Sequence, residues 1–127
     1  MKKNLNAVNE FHVTFQVGDA PNAPELLPKQ EAELRYALLK EENEEYLEAC
    51  KNNDLVEVAD ALGDQLYILC GTILKHGLQN KIEEVFEEIH RSNMSKLDEN
   101  GDPIFREDGK VMKGKGYFRP DIKKILG

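Results

Sequence analysis

The apolar positions of this chain recur at helical spacing, and the pattern is densest over residues 38–71. Leu34 and Leu38 begin a stripe at i, i+4; Glu42 and Glu45 continue it, and Ala49 resumes it. After a break at Asn52-Asn53-Asp54, a second segment carries Leu55, Val58, Ala59, Leu62, Leu66, Leu69 and Ile73 and is apolar nearly all round. A helix of that kind is expected to be buried. Glu57, Asp60 and Asp64 stand on it at i, i+3, i+7, within about 60° of one another around the axis. Carboxylates on a buried helix are costly unless a positive group meets them. No Lys or Arg lies between Asp54 and Ile73, so a divalent cation is the expected partner.

The remaining pattern predicts a first amphipathic helix over residues 4–16, with Val8, Phe11, His12 and Phe15 on one face. The breakers of G-D-A-P-N-A-P make residues 18–28 a loop. A second helix covers about residues 29–51, with Glu31 and Glu33 suited to its positive end. Asp54 is a good N-cap for the third, with Glu57 at capping-box spacing. That helix runs to about residue 75, where His76-Gly77 is a stop signal. A fourth covers roughly residues 79–96, with Ile82, Val85, Phe86 and Ile89 on one face. Ile104-Phe105 and Val111-Met112 flank R-E-D-G and predict a small hairpin. The end is a loop and one helical turn. The expected fold is all-α, one domain over residues 1–127, a four-helix bundle with a short C-terminal hairpin and tail.

With 127 residues, 40% hydrophobic and 32% charged, the chain has the composition of a soluble globular domain. A net charge of -7 argues against nucleic acid or an anionic membrane surface as partner. Cys50 and Cys70 read as reduced, buried apolar residues. The N-terminal M-K-K-N-L-N lacks the apolar run of a signal peptide, and no stretch reaches membrane-spanning length. A cytoplasmic protein is expected.

Most acids of the helices, among them Glu31, Glu33, Glu44, Glu48, Glu83, Glu84, Glu87 and Glu88, are expected to be solvated faces. Glu41-Glu42-x-x-Glu45 differs because two members occupy the apolar stripe. Glu57, Asp60 and Asp64 differ because their helix has little polar face, although Glu57 has a capping reading as well. Carboxylates converging between two antiparallel helices make an oxygen-only site. It suits Mg²⁺ or Mn²⁺ better than Zn²⁺, since no Cys or His falls at ligand spacing. Tyr67, one turn past Asp64, either stacks on a base or packs in the core, and the core is the expected place. Arg91, Lys110, Lys113 and Lys115 are either a solvated tail or a flexible basic lid for a polyphosphate.

Glu41-Glu42-x-x-Glu45 followed by A-D-A-L-G-D-Q-L-Y resembles the paired E-E-x-x-E and E-x-x-D helices of the all-α nucleoside triphosphate pyrophosphohydrolases, the MazG-like superfamily. H-R-S-N-M-S-K, from His90 to Lys96, with a D-G-K…K-G…P-D tail, is similar to its phosphoribosyl-ATP pyrophosphohydrolase-like branch. The resemblance covers about residues 11–120. It implies Mg²⁺-dependent hydrolysis of a nucleoside triphosphate, or a related nucleotide, to a monophosphate and pyrophosphate. Glu42, Glu45, Asp60 and Asp64 would hold the metal, and Glu41 would orient or deprotonate the attacking water. Asn93 and Lys96 would bind base or phosphate. Assembly as a homodimer or homotetramer is implied as well. The family pattern places Glu three residues before the second-helix Asp, and in the Asp64 register that position is Ala61. The register therefore stays open between Glu57-x-x-Asp60 and Asp64. Two alternatives stand beside this reading: a phosphoribosyl-ATP pyrophosphohydrolase of histidine synthesis, and a non-catalytic, metal-stabilised interaction module.

Overall fold

The break at Asn52-Asn53 ends one helix and starts the next within three residues. Asn53 adopts a left-handed conformation with φ 52°, which asparagine tolerates better than most side chains. The amides of Asn53 and Asp54 return to the carbonyls of Cys50 and Ala49 at 3.1 and 3.0 Å, closing the first helix in a Schellman motif. Asp54 then caps the second helix, its Oδ1 accepting the Glu57 amide at 3.1 Å. The cap is thus the Asp54 side chain; Glu57 takes part through its backbone. The same closing geometry recurs at Gln16 (φ 58°) and at Gly77 (φ 67°).

The computed structural model describes residues 1–127 and is all-α, with helices α1 (Lys2–Thr14), α2 (Lys29–Lys51), α3 (Leu55–Lys75), α4 (Ile82–Met94) and α5 (Ile122–Leu126). The predicted hairpin is a single antiparallel bridge between Phe105 and Val111. No helix is long and apolar enough to cross a membrane. The chain divides into two units, Met1–Asn80 and Lys81–Gly127.

In the first unit α3 packs mainly on α2, and then on α1. The α2–α3 pair is antiparallel. Arg35, early on α2, donates from Nη2 to the Ile68 carbonyl at 2.8 Å and from Nε to Thr72 Oγ1 at 3.0 Å, late on α3. The buried apolar residues are Leu5, Val8, Ala49, Ala61, Cys70, Ile73 and Leu74, and His12 and Arg35 are buried with them. The end of α3 also holds the α1–α2 loop. Lys75 Nζ donates to the Val17 carbonyl at 2.6 Å and pairs with Glu31 at 3.0 Å, and His76 Nδ1 meets the Glu25 carbonyl at 2.8 Å.

Burial of α3 departs from expectation. Its last turns are buried, but Leu62, Leu66 and Leu69 are about half exposed, and Leu55 and Val56 are 80% and 76% exposed. One chain supplies only two helices to cover a rod that is apolar all round. Tyr67 is likewise partly exposed, edge-on to Phe11 with ring centres 5.8 Å apart. Cys70 is buried as expected, whereas Cys50 is exposed.

In the second unit α4 is tied to the C-terminal segment. Ser92 Oγ donates to the Phe118 carbonyl at 2.8 Å, Ser95 Oγ accepts the Phe118 amide at 3.2 Å, and Glu88 Oε2 accepts the Asp121 amide at 2.8 Å. Asp121 caps α5 by accepting the Lys124 amide. Arg91 lies over the Phe118 ring, 4.4 Å from its centre, a cation–π contact.

Candidate metal centre

The antiparallel register of α2 and α3 brings the middle of one helix against the middle of the other. Glu42 and Glu45, one turn apart on α2, meet Asp64 of α3. One carboxylate oxygen from each of the three lies within 4.8 Å of the others. Glu42 is half-buried, and its Oε2 is out of contact with water and without a hydrogen-bond partner. Glu45 and Asp64 are exposed.

The cluster strains the ionisation of its innermost member. The Glu42 carboxyl is pushed up to about 7 by its burial first. A hydrogen bond with Glu45 and the charges of Glu45, Asp64 and Glu41 push it further. An isolated carboxylate oxygen with no donor, facing two further carboxylates, is the arrangement that a divalent cation resolves. The donors are hard oxygens, as Mg²⁺ or Mn²⁺ prefers. Bonds of about 2.0–2.1 Å place neighbouring donors about 2.9 Å apart and opposed donors about 4.1 Å apart.

Asp60 is not one of the three. It lies one turn closer to the start of α3 and lines a cavity of about 290 Å³ with Glu45, Glu48, Asp54, Glu57 and Ala61. Glu45 belongs to both groups and links them. Glu41 is exposed and stands outside the cluster, and its charge reaches Glu42. Ala61, where the Asp64 register of the motif would have a Glu, is buried. Asn93 and Lys96 belong to the second unit. Asn93 is exposed on the last turn of α4; Lys96 follows the helix, and its carbonyl accepts the Gly114 amide at 2.9 Å.

The sequence pattern did not reveal a second polar group in the first unit. His12, Arg35 and Gly71 meet where α1, α2 and α3 converge, and a Cβ on Gly71 would lie 2.6 Å from Arg35 Nη2 and 3.0 Å from His12 Nε2. The available signal was a glycine in the interior of an apolar helix, which marks a close approach.

Comparison with known proteins shows the family and the fold. A profile of the phosphoribosyl-ATP pyrophosphohydrolase family matches residues 8–93, which include Glu42, Glu45, Asp60 and Asp64. Among solved structures, a candidate NTP pyrophosphohydrolase from Exiguobacterium sp. 255-15 superposes with a TM-score of 0.50 at 26% identity, over 94% of this chain and 90% of that one. Uncharacterized protein L479 of Acanthamoeba polyphaga mimivirus is 32% identical over 131 residues. The match takes in 97% of this chain, which spans only 47% of the length of the viral protein.

Proposed function

Because the chain belongs to the phosphoribosyl-ATP pyrophosphohydrolase family, we propose that it hydrolyses a nucleoside triphosphate, or a related nucleotide, to the monophosphate and pyrophosphate. The reading also assigns Glu42, Glu45 and Asp64 as ligands of Mg²⁺. The observation that carries it is the convergence of these three carboxylates around an unpartnered, water-excluded Glu42 oxygen. Bound there, Mg²⁺ would polarise phosphoryl oxygens and lower the pKa of a coordinated water.

The chain's own residues supply the rest. Glu42, Glu45 and Asp64 offset the cation's charge and fix its place between the helices. Asp60 is the fourth proposed ligand, reached along the cleft through Glu45. Glu41, with its carboxylate in water one residue from Glu42, is the proposed group that orients or deprotonates the attacking water. Asn93 and Lys96 carry a substrate-binding role by resemblance of H-R-S-N-M-S-K to the family motif. The half-exposed apolar face of Leu62, Leu66 and Leu69 is proposed to be covered by a second copy of the chain in a homodimer or homotetramer. A cytoplasmic location and the absence of nucleic-acid partners belong to the same reading.

The family's name favours one specific alternative substrate, phosphoribosyl-ATP. A panel of ribo- and deoxyribonucleoside triphosphates and phosphoribosyl-ATP, assayed for pyrophosphate release with Mg²⁺, separates the two. Turnover confined to phosphoribosyl-ATP selects the alternative. No turnover of any nucleotide would make the chain a binding module, and turnover that persists in excess EDTA would refute the metal assignment.

A further inference from the structure

We propose that Lys96 and Lys113 form an anion-binding site within the second unit and hold the triphosphate chain of the nucleotide. The inference deepens the nucleotide reading above and rests on it. The observation behind it is a glycine that admits no side chain. The Gly114 amide donates to the Lys96 carbonyl at 2.9 Å, and a Cβ on Gly114 would run into the Leu97 carbonyl oxygen. The obstacle is backbone, which has no flexible end to move aside. Glycine therefore lets the C-terminal strap lie directly on the chain that leaves α4. Consecutive Cα atoms are about 3.8 Å apart, so this contact also brings Lys113 beside Lys96. The K-G step of the D-G-K…K-G tail thus has a physical reason: it docks one lysine next to another.

The surrounding charges suit an anion. Of the four basic residues expected in a tail or lid, two are offset by acids: Arg91 pairs with Glu88 at 2.8 Å, and Lys115 pairs with Glu99 at 3.3 Å. Lys110 lies on the turn of residues 106–110, outside the Gly114 contact. Lys113 is exposed, and no carboxylate pairs with it or with Lys96. The Lys113 ammonium rests instead over the Tyr117 ring, 4.8 Å from its centre. The Tyr117 amide is tied back to the Gly114 carbonyl at 3.2 Å, so ring and lysine share one frame. A ring takes one side of an ammonium and leaves donors for oxygen acceptors. Residues 110–124 hold six basic residues against Asp121 alone, in a chain of net charge -7. Two cations drawn together by the backbone, with no acid between them, repel one another, and a bound anion removes that repulsion. A triphosphate chain presents oxygens along its length to both lysines, which a single carboxylate does not.

The test titrates inorganic tripolyphosphate into the full chain by calorimetry, at low salt and with metal removed on a chelating resin, so that neither Mg²⁺ nor turnover is needed. The wild type should bind. Lys113→Met and Lys96→Met should each weaken binding about three- to tenfold, the loss of one charge-assisted contact in a partly solvated place. Gly114→Ala should reproduce that loss with both lysines intact, because the added methyl lifts the strap off the Leu97 carbonyl. Lys115→Met, whose charge Glu99 already offsets, should change binding by less than about twofold. Tripolyphosphate that does not bind, equal losses in Lys113→Met and Lys115→Met, or a Gly114→Ala protein that binds like the wild type overturns the site. With Mg²⁺ and a nucleoside triphosphate, Lys113→Met should lower kcat/KM by a similar factor, and an unchanged kcat/KM overturns its role toward the substrate. A wild type that turns over no nucleotide yet binds tripolyphosphate through Lys113 refutes the pyrophosphohydrolase reading and leaves the anion site standing.

Discussion

Replacing Gly71 by alanine should destabilise the protein, although alanine is the better helix former. In a helix interior the exchange ordinarily gains about 0.8–1 kcal/mol. Here the new Cβ would lie 2.6 Å from Arg35 Nη2 and 3.0 Å from His12 Nε2. Arginine has a flexible end, but this one is only 9% exposed, and its Nη2 is bonded to the Ile68 carbonyl at 2.8 Å. Moving it breaks a hydrogen bond from a charged donor, worth roughly 1.5–3 kcal/mol. His12 is 5% exposed and closes the other side. Subtracting the helix gain leaves a net loss of roughly 0.5–2 kcal/mol, and packing strain adds to it. For a unit of this size each kcal/mol lowers Tm by about 4–8 °C. Urea unfolding should show a lower midpoint with an unchanged slope. A Gly71→Ala protein as stable as wild type, or more so, would refute the reasoning, because Arg35 and His12 would then have room to move at no cost.

Four further outcomes follow from the first unit. Asp64→Asn should remove most turnover, Asp60→Asn a smaller part, and Glu57→Gln little; loss confined to Glu57→Gln and Asp60→Asn would place the motif one turn earlier. Asp54→Ala, by contrast, should lower stability by about 0.5–2 kcal/mol through the lost cap, with turnover per folded molecule retained. Glu42 is raised from 4.5 to about 7 in the folded state, so the native protein holds a proton that the unfolded chain has released. Its contribution is present below pH 4.5 and is lost as pH rises to about 7. The metal-free protein should therefore lose Tm over that window, and Glu42→Gln should flatten the loss. His12 runs the other way. Burial first, then Arg35 and Lys75, lower its pKa below 6.5, so its own contribution to stability falls below about pH 6.5, an acid limb opposed to the Glu42 trend and separated from it by comparing variants. Tm measured at pH 5 and 7.5 should show that acid limb flattened in His12→Gln, and an unchanged limb would show that His12 does not set it.

Local signals were legible in the sequence, and long-range ones were not. The bounds of α2 and α3 follow from the Asn52-Asn53-Asp54 break and the His76-Gly77 stop, whose effects act within a few residues. At α4 the predicted start near residue 79 gives way to Ile82, because Gly77 turns the chain and the Gln79 side chain donates to the Pro21 carbonyl. Periodicity put Glu42 and Glu45 on the apolar stripe of α2; Glu42 is half-buried there, whereas Glu45 is exposed at its edge. Periodicity could not rank Asp60 against Asp64, which share a face; the position of the α2 residues opposite is what brings Asp64 within reach of Glu42 and Glu45. Arg35 was invisible for the same reason, since its acceptors lie 33 and 37 residues away. An apolar pattern shows that a surface is to be covered, and α3 shows that one chain need not supply the cover.

The exposure along α3 also explains how an acidic cluster is held in a stable fold. From Cys70 to Leu74 the helix is largely buried, gripped by Arg35 and adjoined by the Lys75–Glu31 pair. From Leu55 to Asp64 only Ala61 is buried. The acids thus occupy the half of the helix that water reaches, where repulsion among Glu45, Asp60 and Asp64 is screened. The anchored half fixes the position and rotation of the whole rod, because an α-helix transmits both along its length. Only Glu42 reaches into the water-excluded layer, and only Glu42 has its ionisation pushed to about 7. A cation bound between the helices would therefore act mainly on Glu42. Its effect on stability should be greatest above pH 7, where the metal-free site must carry that charge without a partner.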